Sequence, residues 1–224
     1  MSSSPQNRTP DRGRQDRCPP WAEPALQAIA FWIGWNHTRY RHWPLTEGAL
    51  VGELQRLIAS EIASGEVLCA EVGVNDLCGS VKSGDATIRQ GRVDLVLATK
   101  VNDKEKGRAP KGAEFREEAV ALIEVKRSQS GWGKIRDDIV RLSALSHHLN
   151  EGVRCFVIVT SEGGFGPLLG RLVNRKKRTA LKGWQSLDGA NVKYRVRRLC
   201  RAQATLSPSN SAHCACLVEV YGKP

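Results

Sequence analysis

Two stretches of the chain, residues 92–98 and 119–127, are almost continuously apolar apart from a few ionisable positions, and their length and β-branched content predict strands of a covered sheet. Around them the period changes. Leu26, Ile29, Ala30, Ile33 and Phe31 recur at helical spacing over 22–35, with Trp32, Trp35, Tyr40 and Trp43 as an aromatic continuation expected mainly to pack. Leu50, Val51, Leu54, Leu57, Ile58 and Ile62 mark one face of a second helix, which Thr46 is placed to cap. Residues 66–74 read as a strand, 75–89 as a polar connection or hairpin, and 100–116 as an exposed, charged loop. Ile135, Ile139, Leu142, Leu145 and Leu149 predict an amphipathic helix over 132–149, with Lys134, Arg136, Asp137 and Arg141 on its wet side. A strongly apolar strand at 154–160 follows, and a strand, helix, strand succession implies a crossover back into one sheet.

The pattern weakens beyond residue 160. Residues 192–198 and 215–221 read as strands, 167–172 as helical and 205–212 as a serine-rich loop. Residues 1–20 hold too little apolar surface to offset the entropy of ordering and read as a flexible basic arm. The expected organisation is this arm, an aromatic-rich helical extension over 21–45, a core over 46–160 and a basic extension over 161–224 packed on that core.

Charge adds a partner class. Lys and Arg number 34 against 23 Asp and Glu, a formal net charge of +11, which favours a polyanion such as nucleic acid without choosing DNA or RNA. Arg175, Lys176, Lys177 and Arg178 form the densest basic run and are the candidate nucleic-acid contacts; a solvated surface loop accounts for the run equally well. The seven cysteines show no paired spacing, so a reducing cytoplasm fits better than a disulfide framework, and no apolar run reaches membrane-spanning length. Cys200, His213, Cys214 and Cys216 lack the spacing of a zinc knuckle; Cys214 and Cys216 alternate with Val218 and Val220 as small buried hydrophobes.

The apolar strands hold the candidate chemistry. Asp94, Glu124 and Lys126 lie inside them, and ionised groups in a covered sheet need partners. Glu124 and Lys126 share a strand face about 7 Å apart. Asp94 is expected on the face of Arg92 and Val96, opposite Val93, Leu95 and Leu97. Residue by residue, ordinary buried ion pairs would explain each of them. Glu47, in the first turn of the second predicted helix, adds a third carboxylate; Glu53 lies on the flank of that stripe. Asp137 and Asp138 are expected to pair locally with Arg141 or Lys134.

Asp94 on one strand, Glu124-Val125-Lys126 on the next and Glu47 on a preceding helix together resemble the PD-(D/E)xK nuclease superfamily, with Val93 standing where the motif's proline often occurs. The resemblance covers roughly residues 46–160. It implies an α/β fold with a restriction-endonuclease-like core, a central mixed β-sheet flanked by helices in α-β-β-β-α-β order. It further implies that Asp94, Glu124 and the Val125 carbonyl bind Mg²⁺, with Mn²⁺ a substitute, and that Glu47 serves a second ion or its water shell. Lys126 would orient the attacking water or stabilise the charged transition state; whether it acts as a base is left open. The expected activity is metal-dependent DNA endonuclease action of a restriction, repair or anti-phage type, by a homodimer or beside a partner subunit. A non-catalytic nucleic-acid-binding subunit and an RNA-directed nuclease are the alternatives.

Overall fold

The computed structural model describes residues 17–39, 46–79, 91–103, 106–162, 168, 170–174, 179–187, 189–202 and 213–222. Helix α1 (Ala22–Arg39) and helix α2 (Glu47–Ala59) precede strand β1 (Glu66–Gly73), the short helix α3 (Val74–Cys78) and strand β2 (Arg92–Thr99). A small hairpin, β3 (Val101–Asp103) with β4 (Lys106–Arg108), and a short helix α4 (Phe115–Glu118) lead into β5 (Ala119–Arg127), helix α5 (Gly131–Ser146) and β6 (Arg154–Ser161). Strands β7 (Gln185–Ser186), β8 (Val192–Ala202) and β9 (His213–Gly222) complete the fold.

Seven strands form one mixed sheet in the order β1-β2-β5-β6-β9-β8-β7. β1, β2 and β5 run as an antiparallel meander, whereas β5 and β6 are parallel because α5 carries the chain back across the sheet. β9 pairs antiparallel with β6 from Cys155–Val220 to Ser161–Cys214, so the last third of the chain extends the sheet that the middle begins.

Both faces are covered, which is why the central strands are apolar on both sides. Helix α5 lays Ile135, Ile139, Leu142 and Leu145 on one face, against Val96, Leu122, Val157 and Val218. Cys214 and Cys216 belong to that layer, and burial pushes their thiols up to about 11 and about 12. Helices α1 and α2 cover the opposite face with Leu26, Ile29, Ile33, Leu50, Leu54 and Ile58, against Leu95, Ile123, Phe156 and Leu217. The Thr46 hydroxyl caps α2 by accepting from the Ala49 amide at 3.1 Å.

Four sequence expectations change. Phe31 is 62% exposed and Trp35 53%, because α1 has a sheet on one side only. The charged stretch 100–116 contains the β3–β4 hairpin and α4 rather than continuous loop. Residues 170–172 form a turn rather than part of a helix, although Leu168 and Leu172 are buried. Finally, Val93 joins the α5-side layer with Val96 instead of facing Leu95. The alternation breaks where Glu71 adopts a φ of 54° and the Glu71–Asp94 rung is missing from the β1–β2 ladder. A left-handed non-glycine residue at that point re-aims both strands beside Asp94.

No helix among the described residues is long and apolar enough to cross a membrane. The basic run Arg175, Lys176, Lys177 and Arg178 lies outside the described residues, as do residues 1–16, Tyr40, Trp43 and 203–212.

Candidate functional site

The ionisable residues of β2 and β5 meet near the end of β5. Asp94 lies one position past the last paired rung, Leu95–Ile123, and its Oδ2 accepts from the Val125 amide at 2.7 Å. This bond satisfies a donor that the ladder leaves open and ties Asp94 to the strand bearing Glu124. Glu124 is 1% exposed. Burial and the nearby charge of Asp94 push its carboxyl up to about 9, although Arg141 donates to Oε1 at 2.5 Å. Among the described residues, Asp94 Oδ1 and Glu124 Oε2 accept no hydrogen bond.

Lys126 connects the two helical layers around the sheet end. Its Nζ is 3.2 Å from Glu47 Oε2, at the start of α2, and 3.5 Å from Asp138 Oδ2, on α5. Burial pulls the ammonium toward neutrality, but Asp138, Glu47 and Asp94 outweigh it and hold its pKa above the ordinary lysine value. These partners favour the charged form of Lys126.

Glu47 is positioned by the cap that starts its helix and by a hydrogen bond from the Ser130 hydroxyl to Oε1 at 2.8 Å. Partial burial raises its pKa, and the Ser130 bond with the Lys126 charge more than reverses this, leaving the carboxyl below its ordinary value. Glu53, by contrast, pairs with Arg56 on the same helix.

Two residues of α5 belong to this cluster although the sequence pattern placed them elsewhere. Asp138 is buried, and Arg141 bridges it at 3.4 Å to Glu124 while also donating to the Arg92 carbonyl at 3.1 Å. Arg141 is thus turned toward the sheet, not the solvent, and Asp138 pairs across the fold with Lys126 as well as locally. Asp137 is exposed, as its place on the wet side predicts. The available signal was position: Asp138 and Arg141 flank Ile135, Ile139 and Leu142, so a small rotation of the stripe admits them.

Four carboxyl groups here, Glu47, Asp94, Glu124 and Asp138, face two cations, Lys126 and Arg141, and this excess of carboxylates adds to burial, the larger cause, in raising the pKa of Glu124. A hard divalent cation at Asp94 and Glu124 would offset it, and Mg²⁺ needs only one or two protein carboxylates when waters and substrate phosphate complete its shell. Among the described residues no three His, Cys, Asp or Glu side chains converge as a metal-holding group.

Comparison of the chain with protein-family models, curated proteins and solved structures finds no match.

Proposed function

We propose that this chain is a metal-dependent DNA endonuclease with a restriction-endonuclease-like core over residues 46–160. The observation that carries the reading is the convergence of Glu47, from a helix 79 residues away, on Lys126, beside an Asp94 fastened to Val125 and a buried Glu124. Support also comes from the strand meander followed by a helical crossover to a parallel strand, the arrangement the resemblance implies.

In this reading Asp94 and Glu124 hold Mg²⁺, with the Val125 carbonyl a further donor. The ion would lower the pKa of a bound water and neutralise charge on the phosphate. The chain's own residues supply the remainder. The Val125 amide keeps Asp94 turned toward Glu124, while Arg141 orients Glu124 through Oε1 and leaves Oε2 for a ligand. Lys126, fixed by Glu47 and Asp138, presents a permanent positive charge suited to the negative charge that develops on a phosphodiester under attack. In this reading its part is to hold charge rather than to take the proton. The charge of +11 supports a polyanionic substrate.

One observation favours a second reading. Glu124 and Lys126 are already engaged by Arg141, Glu47 and Asp138, as expected of a non-catalytic nucleic-acid-binding subunit in which ion pairs have replaced the metal. Incubating supercoiled plasmid, linear duplex and single-stranded RNA with Mg²⁺, Mn²⁺ or EDTA separates the possibilities. The nuclease reading expects metal-dependent nicking or linearisation of the plasmid. RNA cleavage alone would redirect the substrate, and salt-sensitive binding without product would establish the second reading.

A further inference from the structure

We propose that the outer edge of β1 is the surface on which two copies of this chain pair, antiparallel and about a two-fold axis at Cys69, joining their sheets into one. The seven-stranded sheet ends on β7, two residues long, and on β1, eight residues long. An edge as short as β7 offers a partner strand almost nothing, whereas a long edge is ordinarily blunted by lysine or proline. Between Glu66 and Glu71, β1 runs Val67-Leu68-Cys69-Ala70, without a charge or a proline, and Val67, Cys69 and Ala70 are partly exposed.

Two hydrogen bonds fix which way the backbone groups of this edge point. The Lys100 amide donates to the Gly65 carbonyl at 2.9 Å, which makes these residues a hydrogen-bonded pair continuing the β1–β2 ladder. Such pairs alternate in an antiparallel ladder, so Val67 and Cys69 turn their N–H and C=O toward β2, while Glu66, Leu68 and Ala70 turn theirs outward. The Glu66 amide accordingly donates to the Ala63 carbonyl at 2.9 Å instead of to β2. Among the described residues nothing bonds to the outward N–H or C=O of Leu68 or Ala70. Two donors and two acceptors therefore stand open, placed evenly on either side of Cys69.

That pattern is its own complement. With a two-fold axis at Cys69, Leu68 of each copy faces Ala70 of the other, and four hydrogen bonds use every one of these groups. Centring the pair on Leu68 would set Ala70 against Glu66, whose amide is already given to Ala63, and would leave the Ala70 carbonyl open. Charge selects the same arrangement. Glu66 comes opposite Val72 and Glu71 opposite Val67, so no like charges meet across the join. Glu66 alternates onto the sheet face of Leu68, and Arg92 onto the same face, away from Val93. The pairing sets Glu66 about 10 Å, Cα to Cα, from Arg92 of the second copy, within the reach of two long side chains. Arg92 is exposed and is held by Glu71 only at 3.9 Å. Because the sheet's other edge is two residues long, the assembly closes at two copies instead of growing into a fibre.

The pairing does not depend on hydrolysis or on nucleic acid. It is tested on the full chain by sedimentation and light scattering over a concentration series, and by oxidation with diamide, which takes up the two thiol hydrogens as a disulfide forms. The mass should rise with concentration to twice that of one chain. Cys69 stands opposite itself in a non-hydrogen-bonded pair, Cα atoms about 4.5 Å apart, inside the disulfide range of about 4.4–6.8 Å. Diamide should therefore yield a covalent dimer on a non-reducing gel, and Cys69→Ser should lose that band while keeping the doubled mass. Cys69→Lys, which sets two ammonium groups face to face, should weaken association about tenfold or more. Ala70→Pro removes an outward donor from each copy without touching the ladder to β2, and should weaken it by a similar factor. Thermal melts establish that each variant is folded, and Cys69→Lys decides the matter where the proline variant is not. A wild-type chain that stays monomeric throughout, whether or not another protein's strand occupies the edge, would overturn the proposal. So would a dimer that survives Cys69→Lys undiminished. Metal-dependent cleavage by a monomeric wild type would overturn the pairing alone, and a dimer that dissociates as expected in the variants but never cleaves would overturn the nuclease reading alone.

Discussion

Lys126 Nζ and Glu47 Oε2 lie 3.2 Å apart although their residues belong to different layers, one at the end of a central strand and the other in the first turn of a helix on the sheet's face. Asp138 approaches the same ammonium from the opposite helical layer. Removing Lys126 therefore unbalances two carboxylates at once, which makes its replacement a test of charge as well as of chemistry.

Because Glu47, Asp138 and Asp94 hold the Lys126 pKa above its ordinary value, this side chain keeps its proton throughout the neutral and mildly alkaline range. The rate should show no lysine inflection between about pH 7 and pH 9. Lys126→Arg, which keeps the charge but not the shape, should retain more activity than Lys126→Met. A pH–rate profile of wild type and both variants reads this directly. A lysine inflection below pH 9 in wild type, absent from the arginine variant, would reinstate the base.

Glu124 links the site to stability. A buried carboxyl with a folded value of about 9 against an ordinary 4.5 binds its proton more tightly in the folded state. Stability contributed by this group is therefore present at low pH and declines as pH rises from 4.5 through about 9, the reverse of a salt-bridged carboxylate. Glu124→Gln should raise the melting temperature at pH 8 and change it little at pH 4.5; at about 2–4 °C per kcal/mol the gain is measurable by thermal melting. Mg²⁺ should raise the melting temperature of wild type and not of the glutamine variant. Asp138, whose burial also raises its pKa, adds a slope of the same sign, so the variant's pH dependence should shrink without vanishing.

Asp138 and its neighbour form a matched pair for testing the role of α5. Asp138→Asn removes a charge that fixes Lys126 and Arg141, and a modest misplacement of Lys126 should lower the rate about tenfold to a hundredfold. Asp137→Asn, on the exposed side of the same turn, should leave the rate unchanged. Comparing single-turnover rates of the two variants separates a positioning role from a general effect of helix charge.

The six longer strands, β1, β2, β5, β6, β8 and β9, and the second helix were legible because apolar side chains follow one period over each, and Thr46 followed by Glu47 announced where that helix begins. Asp94, Glu124 and Lys126 stood out for the same reason, as charges inside otherwise dry strands. Asp138 and Arg141 did not, because helical spacing fixes which residues share a stripe but not how far the helix rotates against the sheet; here it rotates enough to turn both toward β5. Phe31 misled in the opposite direction, since its spacing suits a buried stripe that α1 does not extend that far around. The β3–β4 hairpin was hidden by its polar composition, and the shift of Val93 follows from a backbone break at Glu71 that no side-chain pattern encodes.

The N-cap of α2 should matter beyond helix stability because it aims Glu47. Thr46→Ala should cost about 1 kcal/mol and a melting-temperature drop of about 2–4 °C. It should also reduce activity by more than that loss explains at temperatures where the variant is fully folded, with Thr46→Ser restoring both. Melting curves and rates taken on the same samples provide the comparison.

The central claim, that Asp94 and Glu124 hold a metal for phosphodiester hydrolysis, is tested most directly by single-turnover cleavage of a labelled DNA duplex in Mg²⁺, with binding measured in parallel in EDTA. Wild type should cleave, while Asp94→Asn and Glu124→Gln should lose at least ~1000-fold in rate and bind the duplex as wild type does. Equal cleavage by all three proteins, or binding by wild type with no cleavage in Mg²⁺ or Mn²⁺, would contradict it.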